Sequence, residues 1–207
     1  DAQIAEKGIS STHVTGYVSP KLKGLDLLIR ADSTNLGFLQ PFIEGIFSEI
    51  NGRVNGNVRL YGDFKHLDLE GEVRAKMDAK IDVLNTYFQI RDDSIHISSG
   101  SLDFRNVKVY DREGHDGLVN GYLHHTKLKN LMYHFNIRGN NLLMYNTYEA
   151  GNMPFYGKVY GTGNVVLDGG NNAMTVDASL TTGSNTSFTY ITGVTTEAAS
   201  NQFITFV

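Results

Sequence analysis

The side chains whose types and spacing could do chemistry sit mid-chain: the adjacent pair His124 and His125, and His115 with Asp111, Glu113 and Asp116. Imidazole nitrogens ligate transition metals, and turns dense in carboxylates hold hard cations. Neighbouring residues on a strand point to opposite faces, so His124 and His125 make poor co-ligands for one metal and read as ordinary exposed histidines. The stretch 111–116 lacks the ordered Asp-x-Asp-x-Asp-Gly pattern of a calcium loop and reads as a solvated turn, as does Asp92-Asp93. Asp103 and Asp111 have the residue type of a glycosidase pair, which in a chain with 22 acidic residues identifies nothing by itself. Cysteine is absent, which removes disulfides, thiolate metal sites and a cysteine nucleophile. The G-x-S-x-G elbow, the phosphate-cradling G-x-x-x-x-G-K-S/T loop and H-E-x-x-H are absent as well. The residues therefore point to no catalysis, no cofactor and no metal.

The elements that would position such groups are strands, and the stretch 67–83 sets the pattern. Leu67, Leu69, Val73, Ala75, Met77, Ala79, Ile81 and Val83 alternate with charged residues from Asp68 to Asp82, with Gly71 in the apolar phase. On a strand this puts the apolar set on one face and the charges on the other, whereas a helix would scatter both. At about 3.3 Å per residue the run spans roughly 53 Å, far beyond an ordinary strand. The pattern predicts either a bend near Gly71 that splits it into two strands, or one wall of a wide, elongated sheet.

Composition agrees with strands and turns. The 207 residues include 22 Gly, 11 Tyr and 11 Phe but only 3 Pro, and read as one continuous unit over 1–207. A net charge of −4 gives no footprint for nucleic acid. The first residues do not read as a signal peptide, and no apolar run approaches the ~20 residues of a membrane span. Both ends look cut: the chain starts at Asp1 and stops in the strand-like Phe203-Ile204-Thr205-Phe206-Val207, so the expectation is an internal fragment of a longer protein.

The chain also repeats itself. Val-x-Gly recurs as Val14-Thr15-Gly16, Val54-Asn55-Gly56, Val119-Asn120-Gly121 and Val159-Tyr160-Gly161, and Val18, Val58 and Leu123 follow the first three. After those three come Leu22-Lys23-Gly24-Leu25, Phe64-Lys65-His66-Leu67 and Leu128-Lys129-Asn130-Leu131, so each unit reads as strand, turn, strand. The fourth copy is degenerate, with a Gly169-Gly170-Asn171-Asn172 turn before Met174, Val176, Ala178 and Leu180. Between the first two units, Leu36, Leu39, Phe42, Ile43, Ile46, Phe47 and Ile50 recur at helical steps. They predict one or two short helical turns over about 35–47, with Pro41 and Gly37 preventing a regular helix. Beyond residue 83 a meander is predicted: Ile95 and Ile97, Leu102 and Phe104, Val107 and Val109, then Leu131, Tyr133, Phe135 and Ile137. Its turns fall at 91–94, 98–101 and 111–114, with a loop or helical turn at 140–147 and a last partial strand at Phe188, Tyr190 and Ile191.

Three runs together resemble a known repeat: Asn35-Leu36-Gly37-Phe38-Leu39-Gln40-Pro41, Ile50-Asn51-Gly52-Arg53-Val54-Asn55-Gly56-Asn57-Val58-Arg59-Leu60-Tyr61-Gly62, and Leu67-Asp68-Leu69-Glu70-Gly71-Glu72-Val73. In order they are similar to the "D/N-L-x-x-L-x-P", "G-x-V-x-G-x-V-x-L-x-G" and "L-x-L-x-G" pieces of the TamB branch of AsmA-like proteins, and the likeness continues to about Phe188. The resemblance implies a translocation and assembly module of the Bacteroidetes type, its C-terminal region folded as an all-β, elongated, repeat-built β-taco. This is a U-shaped sheet, open along one side, with an apolar lumen. It further implies a periplasmic segment of an inner-membrane-anchored envelope protein whose anchor lies outside this chain. The partners implied are phospholipid acyl chains and an Omp85-type outer-membrane barrel, and the roles are lipid transport between membranes or outer-membrane protein assembly.

Acyl chains need a continuous apolar surface, at about 0.8 kcal/mol per buried methylene, and no polar code. The groove lining expected on this reading is Val58, Leu60, Leu67, Leu69, Val73, Ala75, Met77, Ala79, Ile81, Val83, Ile95, Ile97, Leu102, Phe104, Leu131, Tyr133, Phe135 and Ile137. The competing reading is a structural or adhesive β-sandwich or solenoid that binds protein or carbohydrate through Tyr145, Tyr148, Tyr156 and Tyr160. An enzyme using Asp111 and His115 is the third.

Overall fold

The computed structural model describes residues 2–6, 10–40, 47–126, 129–149, 154–170 and 173–192. Its strands are β1 (Ala2–Glu6), β2 (Ser10–Ser19), β3 (Gly24–Asn35), β4 (Phe47–Asp63), β5 (His66–Ile81), β6 (Thr86–Ser98), β7 (Ser101–Tyr110), β8 (Asp116–Thr126), β9 (Lys129–Thr147), β10 (Phe155–Gly170), β11 (Ala173–Thr182) and β12 (Ser187–Tyr190). β1 to β11 follow one another in a single open antiparallel sheet, each paired with the next. Along the free side of β10, β11 pairs with residues 161–170 and β12 with residues 155–158.

Register carries the apolar alternation across the whole sheet. One row runs Val14, Ile29, Val58, Gly71, Ile97, Leu102, Leu123, Tyr133, Gly169, Met174, one residue per strand from β2 to β11. The face holding this row is also where the core forms, from Ile50 and Val54 on β4 to Val165 and Leu167 on β10. Its members all belong to this one sheet and to the short turn at Leu36, so the sheet curls over its own face. β6 and β9, three places apart in the strand order, are in contact. A flat sheet with strands about 4.8 Å apart would keep them well separated.

The long element is one strand. β5 pairs with β4 from His66 to Ile81 without a break at Gly71, so the bend is not made there. Gly71 instead sits at φ +150°, where a Cβ would lie 2.2 Å from the Asn57 carbonyl oxygen; only glycine permits that approach. The strand stops at the 3₁₀ turn Asp82–Leu84, and Asn85 takes the left-handed conformation at φ 49°. Val83 therefore belongs to that turn and not to the strand, contrary to the sequence pattern, and its side chain lies outside the described residues.

Three other expectations are corrected. The helical stretch over 35–47 is a single 3₁₀ turn at Leu36–Leu39, capped by Asn35 Oδ1 accepting from Gly37 N at 2.7 Å. Leu36 and Leu39 there pack on the core, and Phe47 and Ile50 already belong to β4, Phe47 paired with Ile81 and Ile50 in the core. Phe42, Ile43 and Ile46 lie outside the described residues. Residues 91–94 form a bulge inside β6 rather than a turn: Asp92 adopts φ 140°, and Asp93 Oδ2 accepts the Lys108 N–H at 2.9 Å, filling a gap in the ladder to β7. Residues 140–147 continue β9 instead of looping, because β10 offers a partner edge. Asn141 at φ 54° absorbs the irregularity, and Leu142, Leu143 and Tyr145 pair with Gly161, Tyr160 and Val159.

Candidate functional site

Of the titratable groups singled out above, Asp111, Glu113 and His115 make contacts that tie separate strands and turns together. Asp111 is buried rather than solvated. It accepts the N–H groups of Glu113, His115 and Leu143, each at 2.9 Å, and His115 Nδ1 lies 2.8 Å from it. Burial alone would raise its carboxyl; the bonds from Leu143 and His115 outweigh that and hold it below the ordinary carboxylate range. Glu113 is likewise lowered, by Lys158 and then Tyr160, whose hydroxyl is 2.7 Å away. Asp103 and Asp111 lie eight residues apart on an extended segment, roughly 25 Å, against the 5–9.5 Å of a glycosidase pair. His124 stacks on Tyr122 with centroids 4.0 Å apart, and His134 pairs with Asp168 at 2.6 Å. Among the described residues no three His, Asp or Glu side chains are grouped to hold a metal ion. No described helix is long and apolar enough to cross a membrane.

The tyrosines are divided as well. Tyr160 is buried against Glu113, Tyr145 and Tyr156 are half-buried, and Tyr148 is exposed. They do not form one exposed aromatic surface.

The expected groove residues separate into two regions of the same face. Ala75, Ala79, Ile81, Ile95, Ile97, Tyr133, Phe135 and Ile137 are buried, and Val73, Met77, Leu102 and Phe104 pack half-buried against the core. Ala75 is 0 % and Ala79 4 % exposed, so these two small residues are covered by neighbouring side chains. Val58, Leu60, Leu67, Leu69 and Leu131 are half-buried as well, but they stand outside that core.

Four of these five continue into residues that the alternation around Leu67 did not single out. Leu69 pairs with Leu60, Leu60 with Leu27, Val58 with Ile29, and Ile29 with Val14, while Leu67 lies across Gly62 from Leu25. The result is a contiguous half-exposed strip over β2 to β5, extending to the exposed Val18 opposite Leu25. Three strand spacings by four residues give it a size on the order of 14 Å by 13 Å. The signal existed in Leu25, Leu27, Ile29 and Ala31, which alternate; Leu28, apolar and pointing the other way, masked it. The opposite face is wet: Arg59 bridges Asp26 and Glu70 at 2.8 and 2.9 Å.

Set against protein-family models, curated proteins and solved structures, the chain finds no match in any of the three comparisons.

Proposed function

We propose that this chain is a non-enzymatic, lipid-binding segment of an envelope protein, and that acyl chains lie on the strip formed by Val14, Leu25, Leu27, Ile29, Val58, Leu60, Leu67 and Leu69. The observation that carries the reading is that these side chains form a continuous apolar surface on the curled side of the sheet that the protein's own core leaves half-exposed. Each methylene laid there would contribute about 0.8 kcal/mol, with no polar group needed for recognition. On this reading the sheet is the β-taco of the TamB-like proteins whose motifs it resembles, and the strip is its lumen. The whole protein would be anchored in the inner membrane and cross the periplasm to an Omp85-type barrel. It would move phospholipid or serve outer-membrane protein assembly. The packed region around Ala75, Val107 and Leu142 then flanks the lipid path and lies outside it.

Native mass spectrometry of gently purified protein tests this directly: acyl-chain lipid should travel with it. Photocrosslinkers belong at Leu60 and Leu69, because Ile81 is buried and Met77 packs on the core. Normal expression without phospholipid labelling at either position would sink the proposal. The same filled core favours the second reading, a structural or adhesive β module, for which a protein free of lipid in both experiments is the expected result.

A further inference from the structure

The turns of the Val-x-Gly units are not accounted for by an apolar strip. Lys21-Leu22-Lys23 lies between β2 and β3, and Phe64-Lys65 between β4 and β5. Alternate turns of an antiparallel meander fall at one end of the sheet. Here the two are tied together, the Phe64 N–H donating to the Lys23 carbonyl at 2.7 Å. Each presents its large apolar residue to solvent, Leu22 at 73 % and Phe64 at 48 % exposure. Lys21, Lys23 and Lys65 are exposed beside them, and none makes an ion pair among the described residues. The acid in this pair of turns, Asp63, is engaged by His66 Nδ1 at 3.0 Å and by the Lys65 N–H at 2.8 Å. Just inside the tips, Leu25 and Leu67 begin the half-exposed strip.

We infer that this end of the sheet docks on the surface of an anionic phospholipid bilayer, with Leu22 and Phe64 inserted at the boundary between headgroups and acyl chains. Lys21, Lys23 and Lys65 meet the phosphates. Single exposed apolar residues are ordinary on any protein. Two on turns bonded to each other, flanked in sequence by three exposed lysines that make no ion pair among the described residues and leading to an apolar strip, have the residue chemistry of an interfacial anchor: apolar groups that enter the acyl boundary and cations held at the headgroups. The next unit carries Lys127-Leu128-Lys129 between Thr126 and Asn130, the same tripeptide as at 21–23; residues 127 and 128 lie outside the described ones. The inference rests on the lipid-binding reading for its purpose, since a docked tip would set the strip against the bilayer.

The test is flotation of the whole chain with vesicles of phosphatidylcholine, and with vesicles in which about a third of the lipid is phosphatidylglycerol. The protein should float with the anionic vesicles and release as salt rises. Leu22→Ser with Phe64→Ser should weaken partitioning at least tenfold. Changing Lys21, Lys23 and Lys65 to Gln should remove the preference for phosphatidylglycerol, by about fivefold per lysine. The sequence has no tryptophan, so Phe64→Trp supplies a single reporter whose emission should move to the blue on vesicles. All variants should melt as the parent does, the changes being at exposed positions. A parent that floats with neither vesicle, a serine variant that floats equally well, or an unshifted emission from the Phe64→Trp variant overturns docking. A Leu60→Glu, Leu69→Glu variant separates the two readings: vesicle binding kept while co-purified lipid is lost supports docking at the tips and lipid on the strip alike. Vesicle binding with no lipid ever on the parent's strip upholds docking and overturns only the conduit.

Discussion

The Asp111 carboxylate accepts the backbone N–H of Leu143 at 2.9 Å, across 32 residues of chain. Asp111 caps the turn between β7 and β8, and Leu143 lies in the part of β9 that runs beyond the end of β8, so this bond fastens the turn to the strand that passes it. Removing the carboxylate leaves the N–H groups of Glu113, His115 and Leu143 without their acceptor in a buried site. Asp111→Ala should cost about 3 kcal/mol or more, read as a lower denaturation midpoint, and Asp111→Asn, which keeps one acceptor oxygen, should cost less.

The same carboxylate sets an acid limit. Its folded-state pKa is depressed below the unfolded value of about 3.9, so its contribution is complete above that value and is lost as pH falls through the folded one. Asp68, also lowered, acts in the same direction. The melting temperature should be nearly flat from pH 7 to 5 and fall below about pH 4. That fall should be shallower in Asp111→Asn; an equally steep limb in parent and variant would show that Asp111 does not contribute to it.

How much of this was legible beforehand differs by element. The alternation of 67–83 and the order of the Val-x-Gly units gave the strands and hairpins, because the period of two is a property of the strand itself. The fate of Asp111 was not legible, since burial comes from β9 passing the turn, a contact 32 residues away with no local signature. From sequence, 91–94 reads as a turn and 140–147 as a loop or a helical turn, because Asp and Asn favour turns and loops. Pairing with a neighbouring strand overrode that preference. The pattern identified the inward face of β5 but could not tell Ala75, covered by the curl, from Leu69, which stands outside the core.

The repeated glycines make a sharper test of the hairpin units. Gly121 sits at φ +154°, and a Cβ there would lie 2.0 Å from the His134 oxygen; Gly56, at φ +153°, would meet the Glu72 oxygen at 2.3 Å. In the fourth unit this role moves two residues on, to Gly163, while a Cβ on Gly161 meets only side-chain atoms, the nearest at 3.1 Å. Gly121→Ala and Gly163→Ala should each lose more than about 2 kcal/mol, and Gly161→Ala distinctly less, by urea denaturation. Equal losses at Gly161 and Gly163 would refute the displaced fourth unit.

The two regions of the inward face predict opposite phenotypes for similar changes. Ala75 is fully buried, so Ala75→Asp places an unpaired carboxylate in a filled core and should unfold the protein or leave it insoluble. Even Ala75→Leu should cost about 1–3 kcal/mol through overpacking. Leu60 and Leu69 face each other across β4 and β5 and remain half-exposed, so Leu60→Glu with Leu69→Glu can keep both carboxylates in water. That double variant should stay folded by circular dichroism, with a small change in melting temperature, and should lose any acyl-chain lipid seen on the parent. A folded double variant that retains its lipid would move the binding site off the strip. An unfolded one would mean that the strip is core after all, as the adhesive-module reading requires.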